Sequence, residues 1–346
     1  AAQSPDSGLA PISFDRRDPR SDDVAIEIDY CGVCHTDIHF VQNDWGMTAY
    51  PVVPGHEIVG RVTAVGGEVT GFKVGDRVGV GCMVDSCRHC DACEHGLEQY
   101  CQEGPVLTYN GQDRHDGAIT FGGYSERVVV SDRFVVRVPD ALDMAAAAPL
   151  LCAGITTYSP LVHYGVKPGH KVGVVGMGGL GHMGIKFAKA LGAEVTVFTR
   201  SNAKVEEARR QGADRVIVSS DDDQMAAAAG SLDYILDTVP VQHDLNPYLQ
   251  TLRYDGTHIL VGLLEPIDPP VEGGQLVMQR RVLAGSLIGG MPETQEVLDF
   301  CAQHGITCEV EMLDIANIND AYQRVKRGEV KYRFVIDMAT LKGSAG

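Results

Sequence analysis

Apolar residues in the first 140 positions fall in short, largely β-branched runs, at 24–28, 58–65, 77–80, 128–130 and 134–138. Such runs, cut by turn residues, are the pattern of strands with a face in a core. Pro51, Pro54-Gly55, Gly66-Gly67 and Gly71 supply the expected turns. The texture changes near Leu142: positions 144–148 favour helix, and a second helix is predicted over 154–163. From Lys171 onward strands (171–175, 194–198, 215–218, 232–237, 258–263) alternate with helices (180–191, 201–211) over short connections. That alternation predicts a parallel sheet covered by helices. Pro292 opens a further helix to about position 304, and 308–336 has strand, helix and strand character that can return to the first domain. The fold class is therefore α/β: a mainly β domain over 1–153 and 291–346, and a doubly wound parallel-sheet domain over 154–290.

With 346 residues, 44% hydrophobic and 22% charged, the chain has material for two cores, consistent with this division. A formal charge of −17 excludes nucleic acid or an anionic membrane as the main partner, since both require clustered Lys and Arg. No apolar run reaches the length of a membrane span, and the start Ala1-Ala2-Gln3-Ser4-Pro5-Asp6 lacks the pattern of a signal peptide. A soluble, cytoplasmic protein with reduced cysteines is expected. The run Asp221-Asp222-Asp223 is read as a helix N-terminus rather than a metal site.

Four of the ten cysteines, Cys87, Cys90, Cys93 and Cys101, follow a Cys-x2-Cys-x2-Cys-x7-Cys spacing that brings four thiolates to one ion from a single lobe, 82–102. This points to a closed tetrahedral zinc site. An iron-sulfur run closes differently, with a proline after its last cysteine, where Gln102 stands here. Such a site has no open position, so chemistry must lie elsewhere. Gly55-His56-Glu57 precedes an apolar strand, and Cys34 and Cys152 lie at junctions between loops and regular elements. One histidine and two thiolates make a three-ligand zinc with a fourth place open, the set for which alcohol dehydrogenase is the standard example.

The strand ending at Val175 runs into Gly176-Met177-Gly178-Gly179-Leu180-Gly181, a Gly-x-Gly-x-x-Gly fingerprint with a helix behind it. Its glycines allow a tight turn, close backbone approach to a pyrophosphate, and helix-on-sheet packing. The next strand ends Phe198-Thr199-Arg200-Ser201, with Lys204 beyond, and no acid stands where one would hold an unphosphorylated ribose. Hydroxyls and cations at that end favour NADP(H) over NAD(H).

Cys31-Gly32-Val33-Cys34-His35-Thr36-Asp37-Ile38-His39, Pro54-Gly55-His56-Glu57, the four-cysteine lobe, Leu151-Cys152-Ala153-Gly154-Ile155-Thr156 and the glycine fingerprint occur in one order along the chain. Gly285-Ser286-Leu287-Ile288-Gly289-Gly290 and Tyr332-Arg333-Phe334-Val335-Ile336-Asp337 extend the pattern. Over nearly its whole length the chain resembles zinc-dependent medium-chain alcohol dehydrogenases, and within them the NADP-dependent, cinnamyl-alcohol-dehydrogenase-like aldehyde reductases. The resemblance implies a GroES-like catalytic domain and a Rossmann cofactor domain. It implies two Zn²⁺ per chain, with Cys34, His56 and Cys152 on the catalytic ion and Glu57 able to ligate it when water leaves. It makes Asp37 the carboxylate that orients the ligand histidine, and Thr36 and His39 the proton relay. Thr156 would lie beneath the nicotinamide and His35 and Arg333 near the pyrophosphate, beside Gly176, Gly178, Gly179, Leu180 and Gly181. Trp45, Tyr50, Tyr124 and Ile288 would line the substrate pocket, while Cys31, Cys82, Cys301 and Cys308 remain as small packing residues.

The implied reaction is reversible hydride transfer between nicotinamide C4 and the carbonyl carbon of a zinc-bound aldehyde, with a primary alcohol as the reverse substrate. The partners implied are that small molecule and a second copy of the chain, through the apolar 282–288 edge. A zinc-independent quinone or enoyl reductase of the same superfamily would not need Cys34, His56 and Cys152. A zinc-stapled dinucleotide sensor without turnover would not need Thr36 and His39.

Overall fold

The computed structural model describes residues 1–262 and 264–342. It divides into two compact units, Ala1–Ile155 together with the segment from Gly289 onward, and Thr156–Ile288. In the first unit the strands are β1 (Asp23–Gly32), β2 (Ile58–Val65), β3 (Arg77–Val80), β4 (Met83–Asp85), β5 (Val106–Leu107), β6 (Arg127–Ser131) and β7 (Val136–Arg137). The second unit holds β8 (Lys171–Val175), β9 (Glu194–Thr199), β10 (Arg215–Val218), β11 (Leu232–Asp237), β12 (Leu252–Leu260) and β13 (Val282–Gly285). The returning segment adds β14 (Val310–Asp314) and β15 (Arg333–Asp337) to the first.

The first sheet has the order β14-β15-β1-β2-β3-β7, with β6 also on β1. Val24, Ile26 and Ile28 of β1 point alternately into the core, as the period of a half-buried strand demands. β15 pairs antiparallel to β1, with Cys31 opposite Ile336 and Gly32 opposite Val335. That pairing carries residues from the end of the chain to the place where β1 opens into the site. β4 and β5 form a separate two-stranded ribbon at the cysteine lobe.

The second unit is a six-stranded sheet in the order β10-β9-β8-β11-β12-β13, every pair parallel. Val175, Phe198, Ile217, Ile235 and Leu249 pack in its core. Asp221 caps the helix Asp222–Ala226 by accepting from Gln224 N, which is the role read for that acidic run.

Some elements differ from expectation, for local reasons. Positions 134–138 divide into a 3-10 turn, Asp132–Phe134, and the two-residue β7. The helix over 144–148 ends at Ala147 and tightens into the 3-10 turn Ala148–Leu151 around Pro149. The helix over 201–211 is split because the Ser201 hydroxyl caps Ala203 N, giving a 3-10 turn Asn202–Lys204 before the helix Val205–Arg210. The strand placed at 258–263 starts at Leu252. Its expected last residue, Leu263, lies outside the described residues. The helices His35–Gln42, Asn246–Thr251 and Gly273–Val277 were not expected.

Candidate active site

Three chain segments far apart in sequence converge in the first unit. Cys34 precedes the helix His35–Gln42, His56 lies two residues before β2, and Cys152 follows the 3-10 turn. Their ligand atoms and a carboxylate oxygen of Glu57 all lie within 4.8 Å of one another. Cys34 Sγ stands 3.9 Å from Cys152 Sγ, and His56 Nε2 stands 3.3 Å from Cys152 Sγ. Two thiolates on a tetrahedral zinc, each at about 2.3 Å, would be roughly 3.8 Å apart, so the donor set fits that ion. The contact with Cys152 shifts Cys34 well below the usual thiol range, against the opposing effect of burial. All four groups are buried.

Asp37 is the organiser of this cluster. Fully buried, it accepts from Cys34 N at 2.8 Å, Gly55 N at 3.0 Å and the Tyr124 hydroxyl at 3.3 Å, and its Oδ1 meets His56 Nδ1 at 3.2 Å. A carboxylate on Nδ1 fixes the histidine tautomer and leaves Nε2 for a metal. Burial alone would discharge His56, but Asp37 outweighs it and the ring is raised well above its ordinary value, so a metal on Nε2 would have to displace a proton. Tyr124, expected on the pocket wall, is instead buried behind the histidine on Asp37.

Glu57 is buried beside these ligands, and its Oε1 accepts from Arg333 Nη2 at 2.6 Å. Burial pushes Glu57 up to about 7 despite the guanidinium. Its Oε2 has no hydrogen-bond partner among the described residues and lies 1.9 Å from where a Cβ on Gly32 would fall. Arg333, expected near a pyrophosphate, is itself buried on β15 and committed to Glu57, because a guanidinium carried inward by β15 needs a carboxylate.

Thr36 and His39 are one turn apart on the helix His35–Gln42, both half-buried, with His35 beside them. Asp44 Oδ2 lies 2.7 Å from His39 Nδ1, an orienting partner that sequence reading missed. The missed signal was an acid just past the helix end, after Asn43 in a left-handed cap. Trp45 stacks near His39 at 5.0 Å and is 38% exposed, so it is not a core residue. Tyr50 donates to Val41 O. Cys82, read as packing, sits half-buried with its thiol on Leu151 O and against Cys152.

Cys87, Cys90, Cys93 and Cys101 also come within 4.8 Å of one another. Backbone N–H groups of Cys87, Cys90 and Gln102 point at the sulfurs of Cys101, Cys87 and Cys90, at 3.3–3.4 Å. Such donors favour thiolate over thiol, and those from Gln102 and Cys93 hold Cys90 at about 6. Four sulfurs fill a tetrahedron and leave no reacting position.

In the second unit the glycine turn follows β8. Gly176 has φ +91°, which an L side chain resists, and a Cβ on Gly181 would meet Gly176 O at 2.2 Å. A Cβ on Gly178 would meet nothing within 4 Å among the described residues, which leaves room over that backbone. Gly179 and Leu180 complete the turn into the helix Gly181–Ala190, whose N-terminus suits phosphate. The buried His182 ring holds Gly178 O at 3.2 Å, a brace not anticipated from sequence. At the end of β9, Thr199 Oγ1 accepts from Ser201 N, and Arg200 and Lys204 are exposed. Thr156 and Ile288 belong to this unit, Thr156 buried on the helix Ala153–His163.

No single helix among the described residues is long and apolar enough to cross a membrane. Residues 20–140 match the family model for the alcohol dehydrogenase GroES-like domain, and 179–303 match that for zinc-binding dehydrogenases. The chain is 54% identical over 341 residues to aldehyde reductase YahK of Escherichia coli, covering 98% of this chain and 97% of that one. It is 54% identical over 344 residues to NADP-dependent alcohol dehydrogenase C 1 of Mycolicibacterium smegmatis, covering 99% and 98%. Among solved structures, a cinnamyl alcohol dehydrogenase of Sorghum bicolor superposes with TM-score 0.94 at 48% identity, covering 98% of this chain and 96% of that one. A second, from Helicobacter pylori in complex with NADP(H), has TM-score 0.90 at 42% identity, covering 97% and 96%. The chain is an oxidoreductase and belongs to the medium-chain alcohol dehydrogenase family, in the branch of NADP-dependent aldehyde reductases and cinnamyl alcohol dehydrogenases.

Proposed function

We propose that this chain is a zinc-dependent, NADP(H)-linked alcohol dehydrogenase that works chiefly as an aldehyde reductase in the cytoplasm. The observation that carries the reading is the buried convergence of Cys34, His56 and Cys152, with a Glu57 carboxylate oxygen beside them; one histidine and two thiolates are the donor set of a three-ligand zinc. The second support is the acid-free end of β9, where Thr199, Arg200, Ser201 and Lys204 can receive a 2′-phosphate. The relatives, an aldehyde reductase and NADP-dependent alcohol dehydrogenases, point the same way.

A zinc ion on those ligands would supply a Lewis acid for the carbonyl oxygen, and NADPH bound at the glycine turn would supply hydride. The chain's own residues handle the proton. The Thr36 hydroxyl both donates and accepts, so it can pass a proton without changing charge. His39, oriented at Nδ1 by Asp44, keeps Nε2 for exchange with solvent. Asp37 keeps His56 in its ligand tautomer, and Glu57, with one oxygen on Arg333, keeps its other oxygen free beside the metal ligands. The cysteine lobe would hold a second, structural zinc, for two per chain, and two copies would associate as a homodimer.

Zinc analysis of the purified protein with NADPH- and NADH-driven reduction of an aromatic aldehyde tests this. Two zincs and a strong NADPH preference are expected. One zinc, or equal use of both cofactors, would sink the corresponding part. A zinc-independent reductase would keep its turnover in Cys152→Ser, and a non-catalytic sensor would show none in the wild type.

A further inference from the structure

Asp237, the last residue of β11, is buried and accepts from two histidines, His243 Nε2 at 2.8 Å and His258 Nε2 at 3.0 Å. Val239 N also donates to its Oδ1 at 3.1 Å. Three donors on one carboxylate favour its ionised form. His243 is the unusual member, because its other nitrogen, Nδ1, lies 2.8 Å from Val241 O. A carbonyl oxygen only accepts, and so does a carboxylate, so both ring nitrogens of His243 must carry protons. The ring is an imidazolium bridging two points of one short loop.

That loop, 238–243, leads directly from β11 to the glycine turn's neighbour surface. Thr238 N and Oγ1 both donate to Val175 O, the residue before Gly176, at 3.1 and 2.8 Å. A Cβ on Gly176 would meet Thr238 Oγ1 at 2.9 Å and Val239 Cγ2 at 3.2 Å, so the loop lies against the turn expected to carry the pyrophosphate. Its near end is fixed by Thr238 and its far end by His243. Gln242 adds an exposed contact, its Nε2 donating to Pro266 O at 3.1 Å.

We propose that the His243 imidazolium is a positioning residue for the dinucleotide, closing loop 238–243 so that Thr238 and Val239 brace the glycine turn. The inference rests on the cofactor reading above. It goes beyond it by making cofactor affinity depend on one proton outside the glycine fingerprint. The groups facing His243 are Asp237 and His258 from the sheet, Asp244 beside it on the loop, and Tyr248, whose ring lies 5.9 Å away and itself faces Arg200. Burial works against the charged ring, but Asp237 outweighs it and raises His243 above its ordinary value. The clamp is therefore complete below the ordinary histidine range and is lost as pH rises through the raised value.

The test uses the zinc-loaded enzyme, with NADPH affinity read from the fluorescence of the bound nicotinamide between about pH 6.5 and 9.5, a span set by the ordinary histidine value. Wild type should bind about tenfold more weakly at the top of that range, the loss expected for one charge-assisted hydrogen bond. His243→Gln should be weak throughout, flat across the titration of His243, and raised in KM for NADPH with kcat retained. Nitrogen-15 spectra should show both ring nitrogens of His243 protonated at neutral pH. A neutral His243, or a variant with wild-type affinity and pH profile, overturns the proposal. Wild type without NADPH binding would overturn the cofactor reading instead, and the nitrogen spectra would still decide the clamp.

Discussion

Glu57 and Arg333 form an ion pair in which both side chains are about 95% buried or more. A pair of this kind is costly to desolvate, and removing one partner leaves the other charge stranded. Arg333→Met should destabilise the protein by about 3 kcal/mol, the low end for a broken buried pair. Adding Glu57→Gln should recover part of that loss, which a double-mutant cycle in urea would read. Additive losses would show that the two groups do not support each other. A second residue-scale prediction concerns Asp37, which meets His56 Nδ1. Asp37→Asn should weaken catalytic zinc about 10- to 100-fold by competition with a chelator, while the zinc of the cysteine lobe stays. The ligands themselves were legible because Cys, His and their spacing are chemically rare. The Glu57–Arg333 pair was not, since 276 positions separate its members and only the pairing of β15 with β1 joins them. Tyr124 was misplaced for a similar reason: its chemistry suits a pocket wall and a buried hydroxyl donor equally, and packing decides.

At the scale of elements, long helices and the half-buried strands were readable because their burial has a period, and β8 and β9 because they are short, largely apolar runs. The short helices were not. Asn246–Thr251 and Gly273–Val277 are too brief for a face to repeat, and the helix His35–Gln42 is hidden by residues chosen for chemistry. The glycine turn offers a separation of roles within one element. Gly181→Ala must push its Cβ against Gly176 O, so it should lower both stability and NADPH affinity. Gly178→Ala meets no atom of the described residues within 4 Å, so it should unfold like wild type and lose cofactor affinity alone. Thermal melts with and without NADPH distinguish the two, and a Gly178→Ala protein with full affinity would show that nothing approaches that backbone. The cysteine lobe also acts on a neighbouring element. Glu98 Oε2 accepts from Met291 N at 2.9 Å, at the start of the helix Met291–His304, and Gly96 lies against Pro292. On the proposal that the lobe holds zinc, removing that ion should therefore raise amide exchange in the first turn of that helix before the sheet opens.

For the whole chain, the alternation of strand and helix was enough to separate a β-rich part from a parallel-sheet part. What the linear pattern does not contain is strand order, since pairings such as β15 on β1 depend on which edges are left unfilled. The same consideration bears on association. β13 is the last strand of its sheet in a single chain, Val282 on it is 46% exposed, and Leu287 just beyond is 49% exposed. An edge strand with exposed apolar side chains is a site for pairing, and twofold pairing of one β13 edge with its copy uses both of those edges and stops at two chains. The purified protein is therefore predicted to sediment as a dimer. Val282→Lys places a charge on that edge at little cost to an isolated chain, because the side chain is already exposed. The variant should sediment as a monomer with its melting temperature lowered only by the lost association, which disappears on extrapolation to low protein concentration. A wild type that is monomeric at micromolar concentration, or a Val282→Lys protein that remains dimeric, would place any subunit contact elsewhere.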